Sequence, residues 1–339
     1  MKRRTLLHAL ACAPLLASFG GISKAAAQPT RSGLITSFGR VPPPSDIKRV
    51  YATGGPASVL LPVLAPHKML GWSLQMSPEV LDALGSPLRD LPMLGRLSGR
   101  GSTMSSETLL ALKPDLILDA GSVDDTYLSA AQRVTEQTGI PYVVIEGRLA
   151  DSARQLREAG HLLGVEERGN ALADYADGIL SSAALVREAI PPEKRPRVYY
   201  GRGLDGLETG MLGSLHLEAI DIAGGYNVAA QGGKKIGIAR VSLEQVIGWA
   251  PEVILTQDSS FASRILEDPR WRTIPAVRTK RIYCAPSIPF GWLDVPPSIS
   301  RLVGVIWLLA HLHGVGKDDL ERKTAEFHRL FYGIKKRVQ

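Results

Sequence analysis

Glu107 and Glu244 are the residues whose placement first suggests a job. Each follows a serine by two positions, in the stretches SSETLLALKPDLILDAGS (from Ser105) and VSLEQVIGWAPEVILTQDSS (from Val241). Each serine is a natural N-cap, so each glutamate falls in a first helical turn. An acid there favours the helix dipole by roughly 0.3–1 kcal/mol, which explains either one alone. The repetition is what needs more. The two glutamates lie 244 − 107 = 137 residues apart, about the length of a domain.

Arginines and aromatics make a second set. Trp72, Arg96, Arg148, Tyr200, Arg202, Phe290 and Trp292 all fall in loops after expected strands, together with Gly54, Gly55, Ser122 and Gln257. In open α/β sheets those loops line the ligand crevice. Arginine forks suit carboxylate, catecholate or oxyanion oxygens, and aromatic faces suit planar ligands. These seven are the candidate ligand-binding residues, with Arg202 and Trp292 foremost.

Free-metal binding has little behind it. Past the N-terminal segment the histidines are His67, His161, His216, His311, His313 and His328, and only His216, near Glu218, has a carboxylate close enough to retain as a candidate. Enzyme signatures are missing. Thr53-Gly54-Gly55-Pro56-Ala57-Ser58 lacks the dinucleotide-binding spacing of glycines, and neither a phosphate-binding loop nor a nucleophile elbow occurs. No resident cofactor and no catalytic residue is expected.

These residues are carried by alternating short strands and helices. After each repeated glutamate comes an apolar helix, a proline that stops it (Pro114, Pro251), a short strand (Leu116–Leu118, Val253–Leu255) and a polar loop (Asp119–Ser122, Thr256–Ser259). Ile47–Tyr51 and His67–Trp72 read as strands with a helix Ala57–Leu64 between them. Tyr142–Ile145, Arg197–Tyr200 and Arg281–Ala285 read as further strands. The alternation argues for parallel sheets. Asp151–Leu163 and Glu166–Ala189 read as helices, the second a rigid connector. Ser298–Leu312 and Asp318–Phe331 close the chain as helices, with Trp307–Ala310 buried.

The expected organisation is therefore a linker at 28–45, an α/β lobe at 46–148, connecting helices at 149–193, a second α/β lobe at 194–296 and terminal helices at 297–339. Residues 1–27 have a basic start (Lys2, Arg3, Arg4), an apolar run and small residues up to Ala27, which is the pattern of a secretory signal peptide. Arg3-Arg4 leaves both the general and the twin-arginine export routes open. Loss of that segment removes Cys12 and leaves Cys284, expected as a buried thiol with no disulfide partner. The 339 residues are 45% hydrophobic and 22% charged, an ordinary globular composition with room for two cores. The formal charge of +7 is scattered, with no arginine stripe or nucleic-acid-binding motif, so no nucleic-acid partner is expected. The protein is expected to be a monomer.

In this order, ETLLALKPDLIL, GLETGMLGSLHLEAIDIAGGYNVA, SLEQVIGWAPEVIL, DPRWRTIPAVRTKRIY and PFGWLDVPPSISRLVGVIWLLAHL resemble the substrate-binding proteins of ABC importers for iron–siderophore complexes, haem and cobalamin. The likeness spans nearly all of the chain after the signal. It implies two Rossmann-like lobes joined by a long helix, with a ligand cleft between them. It implies a periplasmic location and a membrane permease as partner. In that family one glutamate on each lobe pairs with permease arginines, a role that falls here on Glu107 and Glu244. The implied ligand is a metal chelate, a ferric siderophore first, with cobalamin, haem, molybdate or tungstate as alternatives. An exported hydrolytic enzyme and a sensory module are the readings from other classes.

Overall fold

A computed structural model describes residues 29–98, 101–232 and 237–335. The expected signal peptide lies outside the described residues. Two α/β lobes flank a shared helical spine. The first contains β1 (Thr30–Ser32), β2 (Ile35–Phe38), β3 (Val50–Ala52), α1 (Gly55–Leu64), α2 (Pro78–Leu84), α3 (Ser106–Leu112), β4 (Leu116–Gly121), α4 (Asp125–Thr138) and β5 (Tyr142–Glu146). Its sheet runs β1-β2-β5-β4-β3, with β3, β4 and β5 parallel. Every residue of β4 is buried, as a strand covered on both faces requires.

Helices α5 (Ser152–Leu162) and α6 (Glu166–Ala189) leave this lobe. The 24-residue α6 has the bounds read from sequence. It crosses α5 where both helices carry glycine: a Cβ on Gly169 would sit 2.7 Å from the Leu156 carbonyl oxygen. That approach is open only to glycine.

The second lobe contains β6 (Arg197–Tyr200), β7 (Glu208–Gly210), α7 (Glu218–Ile222), β8 (Tyr226–Asn227), β9 (Ile238–Arg240), α8 (Leu243–Trp249), β10 (Val253–Thr256), α9 (Ser259–Arg264), α10 (Pro275–Arg278) and β11 (Ile282–Cys284). Its main sheet, β11-β10-β6-β8, is parallel throughout, and β7 pairs with β9 in a separate antiparallel ribbon. Helices α11 (Arg301–His313) and α12 (Leu320–Tyr332) return to the spine.

The lobes are built to one plan at their outer ends. α3 and α8 are capped by Ser105 and Ser242, and both end on a residue in the left-handed region, Lys113 (φ 46°) and Ala250 (φ 45°). Arg49 and Arg197, just before or at the first central strand of each lobe, donate to the last helical carbonyls: Nη2 lies 2.7 Å from Leu112 O and 2.6 Å from Trp249 O. Asp115 and Glu252 accept backbone N–H groups at the same strand starts. Here Arg49-Val50-Tyr51 and Arg197-Val198-Tyr199 form a second repeat, one the sequence reading passed over.

Each sheet has its own core on one face. Tyr51, Leu109, Ile117 and Tyr142 belong to one such core, and Tyr199, Val246, Ile254 and Trp271 to the other. The opposite faces share a single continuous core with α1, α5, α6, α11 and α12.

Four expectations change. Residues 30–38 are not linker: they form a hairpin turning at Gly33 (φ +60°), and β2 pairs with β5. Its short alternation, burying Thr36 and Phe38, is hidden by polar composition. His67–Trp72 is not a strand: Pro66 starts a 3₁₀ turn, and single bridges at Met69 and Trp72 are all that remain. β4 continues through Asp119 to Gly121, because β5 runs beside it to Glu146. Cys284 is exposed, at the end of β11.

One buried group sets a pH dependence. His328 is 3% exposed, packed against Trp292, and its Nε2 has no partner among the described residues. Burial pushes its pKa from 6.5 down to about 4. A depressed pKa means that the folded state binds fewer protons than the unfolded one between these values. Stability is therefore full above pH 6.5 and declines as pH falls towards 4. From about pH 7 to about pH 5 this histidine should remove about 2 kcal/mol. Urea unfolding of His328→Phe should show a pH dependence flatter than wild type by that amount; parallel curves would contradict it.

Candidate functional site

The strands of both lobes point their C-terminal ends at a common cleft of about 860 Å³. On the first-lobe wall, the chain after β3 is pinned by Leu97 and Ser98 N–H groups donating to Thr53 O. This carries Arg96 and Ser98 to the cleft, beside Gly121 and Ser122 at the end of β4 and Tyr127 from α4. Beneath them lies Asp119, 3% exposed. It accepts from Ser98 Oγ (3.2 Å), Tyr142 OH (3.0 Å) and Ala120 N–H (2.9 Å). Burial raises its pKa and these hydrogen bonds oppose the rise.

The second-lobe wall is organised by Asp294, in the loop between β11 and α11 and 1% exposed. Tyr200 OH donates to its Oδ1 at 3.0 Å. His216 Nδ1 lies 3.0 Å from Oδ2, and since a carboxylate only accepts, Nδ1 carries the proton. Arg202 Nε is 2.7 Å from the same oxygen, an ion pair in which the N–H is not aligned on the acceptor. Gln257 Oε1 accepts the backbone N–H groups of Leu293 and Asp294, which fixes the loop. Burial, then the Asp294 charge, push the Tyr200 pKa well up, so Tyr200 stays a donor. Arg202 itself is held by backbone hydrogen bonds with Glu208 on β7.

A third charged cluster lies where the lobes meet. Arg301, 1% exposed, donates through Nη2 to Gly147 O in the first lobe (2.6 Å). Through Nη1 it reaches Leu215 O (2.6 Å) and Glu218 Oε2 (2.9 Å) in the second. Glu218 also accepts Leu149 N–H at 2.8 Å. Ser298 Oγ donates to Pro56 O across the same junction.

Arg96, Tyr200 and Arg202 thus line the cleft, together with Gly55, Ser122 and Gln257. The three large aromatics do not. Trp72 is fully buried in the shared core with Nε1 on Leu88 O, Phe290 packs between Trp72 and Tyr332, and Trp292 packs on His328. Arg148 stands beside Glu218, 3.7 Å away and 60% exposed, outside the cleft lining. Glu107 and Glu244 are exposed on the first turns of α3 and α8. His216 reaches the cleft, but Glu218 is engaged by Arg301, and among the described residues no group of three or more His, Cys, Asp or Glu could hold a metal. Asp294, Asp119, Ser98, Tyr127 and Arg301 were missed. Asp294 had a signal, as the one acid in the apolar run 285–299.

Residues 95–289, over half of the chain, match the family model described as periplasmic binding protein. The chain belongs to the periplasmic binding protein family. A molybdate-binding protein, MolA, of Haemophilus influenzae is 26% identical over 300 residues, covering 77% of this chain and 78% of that protein. The structure is similar to an ABC transporter solute binding protein from Sulfurospirillum deleyianum, with TM-score 0.78 and 29% identity over 85% of this chain and 90% of that one. The molybdate-bound structure of MolA superimposes with TM-score 0.69 at 23% identity, over 90% of this chain and 96% of that one, and shares its fold. This periplasmic binding protein is accordingly a solute receptor of the ABC-importer type, and its family and neighbours are binding proteins. Membership implies export to the periplasm. Among the described residues no helix is long and apolar enough to cross a membrane.

The junction makes a test of its own. Arg301→Ala leaves Glu218, with 16% of its side chain exposed, with only the longer and exposed Arg148 contact at 3.7 Å. Breaking a buried pair costs about 3–5 kcal/mol. Urea unfolding should register that loss, and a change under about 1 kcal/mol would mean that Arg301 does not hold the lobes.

Proposed function

We propose that this receptor captures a small, oxygen-rich anion, with a tetrahedral oxyanion of the molybdate or tungstate kind as the leading ligand. The observation that carries this is an arginine from each lobe, Arg96 and Arg202, lining one cleft with the hydroxyls of Ser98 and Ser122. Guanidinium forks and hydroxyls complement anionic oxygens. The similarity to MolA supports the same chemistry. A ferric siderophore or other iron chelate is the second reading. The cleft volume favours it, since about 860 Å³ lies in the range of pockets for drug-sized ligands. Cobalamin and haem gain less support, because Trp72, Phe290 and Trp292 are core residues and leave few aromatic faces for a macrocycle.

The receptor's mechanism needs no bond-making. A ligand enters the open cleft, the Arg96 and Arg202 guanidinium groups donate to its oxygens, and the liganded form presents Glu107 and Glu244 to an ABC permease. The shared core and the Arg301 junction favour small lobe adjustments over wide hinge closure.

Thermal shift against molybdate, tungstate, ferric siderophores, cobalamin and haem separates the readings. A ligand at a hundredfold excess over Kd adds about 2.7 kcal/mol. Stabilisation by the oxyanions alone supports the first reading, and stabilisation by ferric chelates alone replaces it with the second. Arg202→Ala and Arg96→Ala should each weaken the anion more than about tenfold, or about 1.4 kcal/mol, by calorimetry. Unchanged affinity in both would move the site. Glu107→Ala combined with Glu244→Ala should leave ligand affinity intact and abolish uptake; uptake at wild-type rate would remove the docking role.

A further inference from the structure

Helices α3 and α8 repeat more than their glutamates. From Ser105 to Pro114 and from Ser242 to Pro251, the order of buried and exposed residues agrees at every position but one. Leu109 and Val246 are fully buried. The next residue in each helix is a large apolar side chain left in water: Leu110 is 45% exposed and Ile247 37%. Each stands three residues after the exposed glutamate of its own helix, so the two side chains share one helical face. The exposed residue that follows is small in both cases, Ala111 and Gly248, and leaves the apolar side chain uncovered.

Single apolar residues on a surface need no explanation. Two at the same position of two lobes, each beside a carboxylate, do. Among the ion pairs of the described residues, which run from Arg31–Glu146 to Arg322–Glu326, none involves Glu107 or Glu244, and the Glu244 carboxylate is engaged only within its own first turn, by its backbone N–H and Ser242. Both patches therefore offer one exposed anion and one exposed apolar side chain.

We propose that Glu107 with Leu110, and Glu244 with Ile247, form two equivalent docking units. Their partner is a two-fold symmetric membrane permease that meets each glutamate with a cation and each apolar side chain with an apolar cup. The inference rests on the permease reading of the glutamates and adds the residues that make the contact dry. An exposed ion pair is weak, and exclusion of water by an adjoining apolar contact is what strengthens it. The near-identical burial of the two helices matches a partner with two equivalent faces.

The test uses the full receptor and the permease–ATPase complex that restores uptake with it, held in lipid nanodiscs. Leu110→Ser with Ile247→Ser should weaken receptor binding more than about tenfold, while the unfolding midpoint and molybdate or ferric-chelate affinity stay at wild-type values. The milder pair Leu110→Ala and Ile247→Ala carries the same test should serine shift the midpoint, and the methionine pair should restore binding. Binding by the serine pair should remain salt-dependent between about 0.05 and about 0.5 M, since its glutamates remain, whereas Glu107→Ala with Glu244→Ala should lose that dependence. Leu185→Ser, at an equally apolar but unrepeated position 70% exposed on α6, should bind as wild type. Wild-type binding by the serine pair alongside loss in the glutamate pair would overturn this inference and leave the permease reading standing. Equal loss in Leu185→Ser would also overturn it. Absence of wild-type binding would overturn both.

Discussion

One buried guanidinium holds the two halves of this receptor in register. Arg301 is out of water, and a buried charge is tolerated only when its donors are used. Its partners are divided between the lobes: Gly147 O on one side, Leu215 O and Glu218 on the other. Separating the lobes would cost Arg301 either its bond to Gly147 or its bonds to Leu215 and Glu218, and would leave a buried donor unused. The shared apolar core behind the sheets acts in the same direction, because the faces of β3–β5 and of the second sheet toward the spine pack into one body with α6, α11 and α12. The two walls of the cleft are thereby joined behind it by both packing and charge.

Within that frame the two walls follow one rule. Each is organised by an aspartate that does not itself face solvent. Asp119 holds Ser98 in the first lobe, and Asp294 holds Tyr200, Arg202 and His216 in the second. The difference between them is charge. Asp119 is met by neutral donors and its pKa rises with burial, whereas Asp294 is met by Arg202, so the second wall carries a paired charge at the cleft surface. Ligand-facing side chains gain fixed direction from partners beneath them, which lowers the ordering cost of binding.

The duplicated ends were the most legible part of the fold. Serine cap, first-turn acid, apolar helix, proline and short strand are all local rules, and each predicted piece is present in both lobes. The connector was equally plain, because a long stretch free of proline between two prolines has few alternatives to a helix. The hairpin at 30–38 was not, since its strands are held by pairing with β5, more than a hundred residues away in sequence. The aromatics misled for a related reason. Phe290 and Trp292 do sit in the loop after β11, and Trp72 follows a 3₁₀ turn where a strand was expected, yet position in a loop says nothing about which way a side chain turns, and the shared core took all three.

Local pattern therefore was enough for the lobes, the connector and the paired glutamates, because caps, prolines and periodicity act within a few residues. Long-range packing alone chose the cleft's wall and its lock. Asp294 gains meaning only when Tyr200 and His216 arrive from 94 and 78 residues away, and Arg301 only when Gly147 arrives from 154. A charge surrounded by apolar residues announces that it needs a partner. Which partner it finds is decided by the fold that buries them together.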